Sequence, residues 1–153
     1  MGKIGVSERF RRTPVTVTIH TATEDQSEAE TSETYQGQLY EGKRKNFLIY
    51  EEQVEEGGAI QSTITFNDQQ EKHEVKIIRH GAVEMNQVFQ AGESIIGAYR
   101  TPLGKFNMET TTYICEITRI NNGGNITLEY DVKLNGQPMG KRTVKIQFQI
   151  IHS

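Results

Sequence analysis

The segment Val75–Thr112 reads VKIIRHGAVEMNQVFQAGESIIGAYRTPLGKFNMETTT. Apolar and polar residues alternate along it in short runs separated by Gly81, Gly92 and Gly104. A period of two puts successive side chains on opposite faces of a strand. Glycine supplies the backbone freedom that tight reversals need. The chain must therefore fold back on itself several times within a short span, which is an antiparallel β meander.

The same pattern extends in both directions. Upstream, TPVTVTIHT sets Val15, Val17 and Ile19 against Thr16, Thr18 and His20, a strand with one apolar and one wet face. A second strand is predicted from Thr31 to Tyr40. Before it, EDQSEAETSE has no apolar face and reads as a solvated acidic connection. FLIYEEQV carries apolar residues on both faces, Phe47 and Ile49 against Leu48 and Tyr50, and AIQSTITF follows after Gly57 and Gly58. Downstream, KFNMETTTYICEITRI is a long strand placing Phe106, Met108, Thr110, Thr112 and Ile114 on one face. NITLEYDVKL and KRTVKIQFQII then alternate almost without error. Asn121-Asn122-Gly123-Gly124 is the strongest hairpin signal, with the glycines expected at its centre, and Asn135-Gly136 joins the last two strands.

About ten strands spaced roughly 8–12 residues apart, with short connections and no helix, predict an all-β fold. Sequential pairing with closure is the simplest topology, giving an antiparallel up-and-down (meander) β-barrel of about 8–10 strands. At 153 residues the chain suits one domain. Residues 1–12, with Arg9, Arg11 and Arg12 around Phe10, are expected as a flexible basic arm, and residues 13–153 as a single barrel.

Composition narrows the function classes. A formal net charge of −3 argues against nucleic acid and against an anionic membrane face. Cys115 is the only cysteine, so neither an intramolecular disulfide nor a thiolate metal cluster is expected. It is read as an inert, small, half-buried side chain. No run approaches a membrane span or a signal peptide, and the reading is a cytoplasmic, soluble protein.

Enzymatic motifs are absent from the reading. His20, His73, His80 and His152 are scattered, with a two-histidine corner of His20 and His152 as the one conceivable metal pair. The acids of the Glu24–Glu33 stretch follow no calcium-loop pattern. Paired carboxylates such as Glu51-Glu52 and Glu55-Glu56 alternate faces and cannot converge on one bond. The expectation is a non-enzyme with no cofactor and no metal.

The order RHGAVEMNQVF from Arg79 to Phe89, then Gly92, Ala98-Tyr99-Arg100-Thr101, Leu103-Gly104 and Met108–Thr112 resembles the YwiB family of small bacterial proteins. Weaker likeness continues through Leu48–Glu52 and the EYDVKLNGQ hairpin. The resemblance implies a calycin-like barrel, related in shape to lipocalins and fatty-acid-binding proteins, with no established biochemical function. The N-terminal Gly-x-Trp of lipocalins is missing, so extracellular hydrophobic transport does not carry over.

Parity gives candidate lining residues. Val75, Ile77 and Arg79 share one face, as do Val83, Met85, Gln87 and Phe89, and apolar faces turned inward would carry Arg79 and Gln87 with them. A buried guanidinium keeps its charge and requires an anion or carbonyls. One reading makes Arg79, Gln87, Tyr99 and Thr110 polar anchors for a small amphipathic or anionic ligand whose tail lies on Met85, Phe89 and Met108. The other places Arg79 at the barrel mouth, reaching Glu84 or solvent. A third uses the outside of a filled barrel, with Lys43, Arg44 and Lys45 near Tyr40, Phe47 and Tyr50 as a protein or nucleic-acid surface. A homodimer through Leu48 and Tyr50 is also open.

Overall fold

Strands rich in valine, isoleucine and threonine present a pleated, half-apolar surface that is stable only when its apolar side is covered. This chain covers that side with itself. The computed structural model describes residues 9–24, 26–54, 58–67 and 73–151. Ten strands follow in order: β1 Arg11–Thr23, β2 Gln26–Glu41, β3 Asn46–Gln53, β4 Ala59–Phe66, β5 Glu74–Gly81, β6 Glu84–Gln90, β7 Ser94–Thr101, β8 Gly104–Ile120, β9 Gly123–Leu134 and β10 Gln137–Ile150. Each pairs antiparallel with its sequence neighbour, and β1 pairs with β10 to close the barrel, with Val15 opposite Ile150 and Val17 opposite Phe148. Among the described residues no helix is long and apolar enough to cross a membrane.

The inward positions form one core, in which Val15, Val17, Leu39, Leu48, Ile64, Phe66, Phe89, Ile126, Leu128 and Phe148 are almost wholly buried. The outward positions are mostly polar, as with Lys145, Gln147 and Gln149 on β10. Phe47 faces outward and meets Phe10 edge-on, ring centroids 5.4 Å apart, which accounts for the apolar outer face of β3.

The structure corrects four local expectations. β1 begins at Arg11, inside the stretch expected as an arm, with Arg11 and Arg12 opposite Glu41 and Tyr40. The acidic segment is not a loop from Gln26 onward: it pairs with the far half of β1 up to Thr23, past a bulge between Thr21 and Thr23. Hydrophobic periodicity cannot see this, because the ladder is held by backbone groups that would otherwise form an open edge. On β8 a bulge between Thr112 and Ile114 reverses the parity. Thr110 and Thr112 point inward before it; after it, Cys115 and Ile117 do, while Tyr113 is exposed.

The fourth concerns the β8–β9 hairpin. Its turn is Asn121-Asn122, and Gly123 and Gly124 belong to β9, where neither has positive φ. A Cβ on Gly123 would lie 1.9 Å from the Phe148 carbonyl oxygen, and one on Gly124 would lie 2.6 Å from Phe148 Cζ. The glycines are there for close approach to β10. At Asn135-Gly136 the expected turn does form, with φ of 50° and 82°. Asn135 also exchanges two 2.8 Å hydrogen bonds with the Asn107 backbone, through its own N–H and its Oδ1.

β8 has 17 residues and β7 only 8, so the second half of β8 runs past its neighbour. Side chains close that stretch. The Ile117 N–H donates to His73 Nδ1 at 3.1 Å, and the Cys115 thiol donates to the Phe89 carbonyl at 3.7 Å.

Gly123→Ala is expected to destabilise the barrel by about 1–3 kcal/mol through overpacking against β10. Gly136→Ala meets no atom within 4 Å, and its cost comes from the left-handed backbone alone, about 1–2 kcal/mol. Urea titration of both variants checks this, and a Gly123→Ala midpoint equal to wild type contradicts the close approach.

Candidate functional site

The barrel has two unlike ends. At the end formed by the β2–β3 and β8–β9 turns, the interior is filled by large side chains: Phe66 and Phe148 pack with ring centroids 5.5 Å apart. Arg119, brought inward by the β8 bulge, lies over the Phe148 ring at 5.6 Å and donates to Glu41 Oε2 at 2.7 Å. Arg11 reaches the other Glu41 oxygen at 3.4 Å. A charge pair over an aromatic ring thus caps this end.

The opposite end, where the β5–β6 and β9–β10 turns lie, is not filled. A cavity of about 320 Å³ enters the barrel there, with Ile19, Ile64, Ile77, Val144 and Ile146 as its apolar wall. Around these stand Glu33, Tyr35, Tyr50, Glu52, Arg79, Gln87, Tyr130 and Arg142. The strand pairings explain the ring: Tyr50 stands opposite Ser62, Ser62 opposite Arg79, and Tyr130 opposite Arg142.

Most of the charged groups are already matched. Arg79 Nη2 donates to Glu52 Oε2 at 3.2 Å, with both side chains about one-third exposed or less. The Tyr35 hydroxyl donates to Glu33, and its ring stacks on Tyr50 with centroids 4.8 Å apart. Arg142 differs. It has no ion pair among the described residues, and its Nε is buried without a hydrogen-bond partner.

The phenols of Tyr35, Tyr50 and Tyr130 are all held above their ordinary range. Burial is the main cause in each, reinforced at Tyr35 by its bond to the Glu33 carboxylate. The Ser62 hydroxyl and the Arg79 charge oppose the shift at Tyr50, and Arg142 opposes it at Tyr130. These tyrosines therefore act as neutral hydroxyls at ordinary pH. Elsewhere, burial pushes the Cys115 thiol up to about 11, which keeps it protonated and poorly nucleophilic.

The sequence-predicted residues divide into two groups. Arg79, Met85 and Gln87 line the cavity, and Tyr99 shares a neighbouring rim groove with Arg79 and Met85. Phe89, Met108 and Thr110 belong to the packed core instead. Phe89 meets Tyr130 edge-on at 4.8 Å, and Thr110 accepts a 3.0 Å hydrogen bond from the buried Gln87 amide. Arg79 sits at the mouth, as one reading had it, but its acid is Glu52. Glu84 instead accepts from the Gly81 N–H at 2.7 Å and pairs with His80 at 2.8 Å, contacts that hold its carboxyl below the usual range.

Tyr50 points into the barrel, so it cannot join Lys43, Arg44 and Lys45 on an outer surface. His20 stands opposite Lys145, and His152 lies outside the described residues, as do Asp25, Glu55 and Glu56. Among the described residues no group of three histidines, cysteines or acids is placed to hold a metal. Sequence reading missed Tyr35, Glu52 and Arg142 as cavity residues. Arg142 was within reach of it, because it shares parity with Val144, Ile146 and Phe148.

Comparison with known proteins places this geometry. The family described as a domain of unknown function (DUF1934) matches residues 15–146. The chain is 26% identical over 140 residues to an uncharacterized β-barrel protein, YwiB, of Bacillus subtilis (strain 168), covering 91% of this chain and 95% of that protein. The crystal structure of the ywiB protein from Bacillus subtilis superposes with a TM-score of 0.79 at 24% identity, covering 94% of this chain and 96% of that one, a likeness of fold.

The raised phenols give the pH dependence a sign. A folded state that keeps protons which the unfolded chain releases above 10.0 gains stability fully present below that pH and lost as pH rises beyond it. Urea midpoints are expected to fall above about pH 10, and the Tyr50→Phe, Tyr130→Phe double variant is expected to flatten that fall. A midpoint that rises with pH there contradicts the assignment.

Proposed function

We propose that this chain, which belongs to the DUF1934 family, a domain of unknown function, holds a small amphipathic acid in the open end of its barrel and does no covalent chemistry on it. The observation that carries the reading is Arg142. Its guanidinium cannot shed its proton, and a partly buried cation calls for an anion. Glu52 is engaged by Arg79 and Glu33 by Tyr35, so neither serves Arg142. A ligand carboxylate beside Arg142 supplies the missing charge, and the Tyr50 and Tyr130 hydroxyls are neutral donors for it.

The aliphatic wall below offers a place for a short tail. A volume of about 320 Å³ sits at the low end of the range of small-molecule sites, roughly 300–1,000 Å³, and favours a medium-chain acid over a long one. The lipocalin-like part of the reading is this use of a barrel interior. A filled barrel working only through its outside describes the Glu41 end well and the Arg79 end poorly. Among the described residues the cavity's carboxylates are tied to the Arg79 guanidinium and to the Tyr35 phenol, whose proton is held more tightly than usual, which supports holding over turnover. A reducing, cytoplasmic setting fits a single thiol that is buried.

Native mass spectrometry of freshly purified protein is expected to show a mass above the denatured one, and calorimetry is expected to show saturable octanoate binding. Arg142→Gln should weaken octanoate at least about tenfold, the scale of one charge-assisted contact. Absence of both a retained adduct and any binding of six- to ten-carbon carboxylates would falsify the reading.

A further inference from the structure

A polar atom buried without a partner is costly, so each one in a folded chain has a reason. Among the described residues, the buried side-chain polar atoms that lack a hydrogen-bond partner are Ser62 Oγ, Thr112 Oγ1 and Arg142 Nε. They are far apart in sequence, yet they fall in two matching rows on the inner face. Tyr50 stands opposite Ser62 and Ser62 opposite Arg79 across β3, β4 and β5. Thr112 stands opposite Tyr130 and Tyr130 opposite Arg142 across β8, β9 and β10. Each row holds a tyrosine, an arginine and a short hydroxyl. In the barrel order β6 and β7 separate the rows on one side and β1 and β2 on the other, so the rows occupy facing walls. The tyrosines and arginines of both line the same cavity. Ser62 shares its strand face with Ile64, another cavity residue, and lies between Tyr50 and Arg79.

The rows differ in charge. Arg79 is matched by Glu52 at 3.2 Å, whereas Arg142 has no ion pair among the described residues. A carboxylate therefore goes to the Arg142 row, and the Arg79 row offers hydrogen bonds without net charge. Ser62 brings a hydroxyl that both donates and accepts. Another hydroxyl satisfies it without adding charge beside the Arg79–Glu52 pair. One step deeper the wall changes character, with Ile64 opposite Ile77 and Leu128 opposite Val144. Gln87, opposite Ile77, already commits its amide to Thr110 at 3.0 Å. A hydroxyl far along the tail would lose its water against aliphatic carbon, so it belongs near the carboxylate. Resting on the cavity reading above, we propose that the ligand is a medium-chain acid hydroxylated close to its carboxylate, which sits at Arg142 while the hydroxyl meets Ser62.

Calorimetry with octanoate, β-hydroxyoctanoate and ω-hydroxyoctanoate tests this on the whole chain. Wild type is expected to bind β-hydroxyoctanoate at least about fivefold more tightly than octanoate, the scale of one hydrogen bond to a group otherwise left unpaired. The ω-hydroxy acid is expected to bind more weakly than octanoate, because its hydroxyl meets the aliphatic wall. Ser62→Ala removes the unpaired hydroxyl. It is expected to keep or raise the urea midpoint, to bind octanoate as wild type does, and to lose the preference for the β-hydroxy acid. Octanoate that binds as tightly as β-hydroxyoctanoate, or a preference that survives in Ser62→Ala, overturns this inference and leaves the cavity reading standing. Failure of all three acids to bind overturns both.

Discussion

Closure between β1 and β10 is the constraint on which the other features depend. A ten-strand meander left open would present two long ladders of unpaired N–H and C=O groups, the outer rims of β1 and β10. Pairing Val15 with Ile150 through to Thr23 with Arg142 satisfies them and fixes which face of every strand is inside. A slip of one residue would turn Val15, Val17 and Ile146 out to solvent and bring Thr16, Thr18 and Lys145 in. The hydrophobic term selects the register, and the backbone hydrogen bonds hold it.

Once parity is set, side-chain volume decides what each end of the barrel contains. Phe66, Phe148, Leu39 and Leu48 fill the Glu41 end, and the two β9 glycines let the chain approach Phe148 closely enough to pack it. At the other end the inward positions Ile19, Ile77 and Val144 carry aliphatics in place of phenylalanines and line the open space. The charged residues follow the same division. Arg119 and Glu41 neutralise each other over an aromatic ring where the barrel is full, whereas Arg79, Glu52 and Arg142 surround a space where it is not. Inward charge at both mouths is tolerable because partners or solvent are close.

Strand irregularities carry much of what distinguishes this barrel from a regular one. The β8 bulge turns Cys115, Ile117 and Arg119 inward, a change of face that alternation read from Phe106 onward cannot anticipate. The mismatch between β7 and β8 leaves backbone groups that His73 and Cys115 satisfy, so both side chains serve the wall. Gln87 and Thr110, inward and polar as parity suggested, bond to each other within the core.

The amino-acid sequence by itself determined the strand succession, the meander order, the inward face of Val75, Ile77 and Arg79, and the Asn135-Gly136 turn. These depend on alternation and turn chemistry, which act over a few residues and are written locally. Only the tertiary structure decided that the acidic stretch is the start of β2, that Gly123 and Gly124 serve close packing, that Arg79 pairs with Glu52, and that Arg142 lines the cavity with no ion pair among the described residues. Each of these depends on which distant residue lies across a ladder or across the lumen. That is set by closure, bulges and the volumes of side chains far away in the chain, quantities that no local pattern contains.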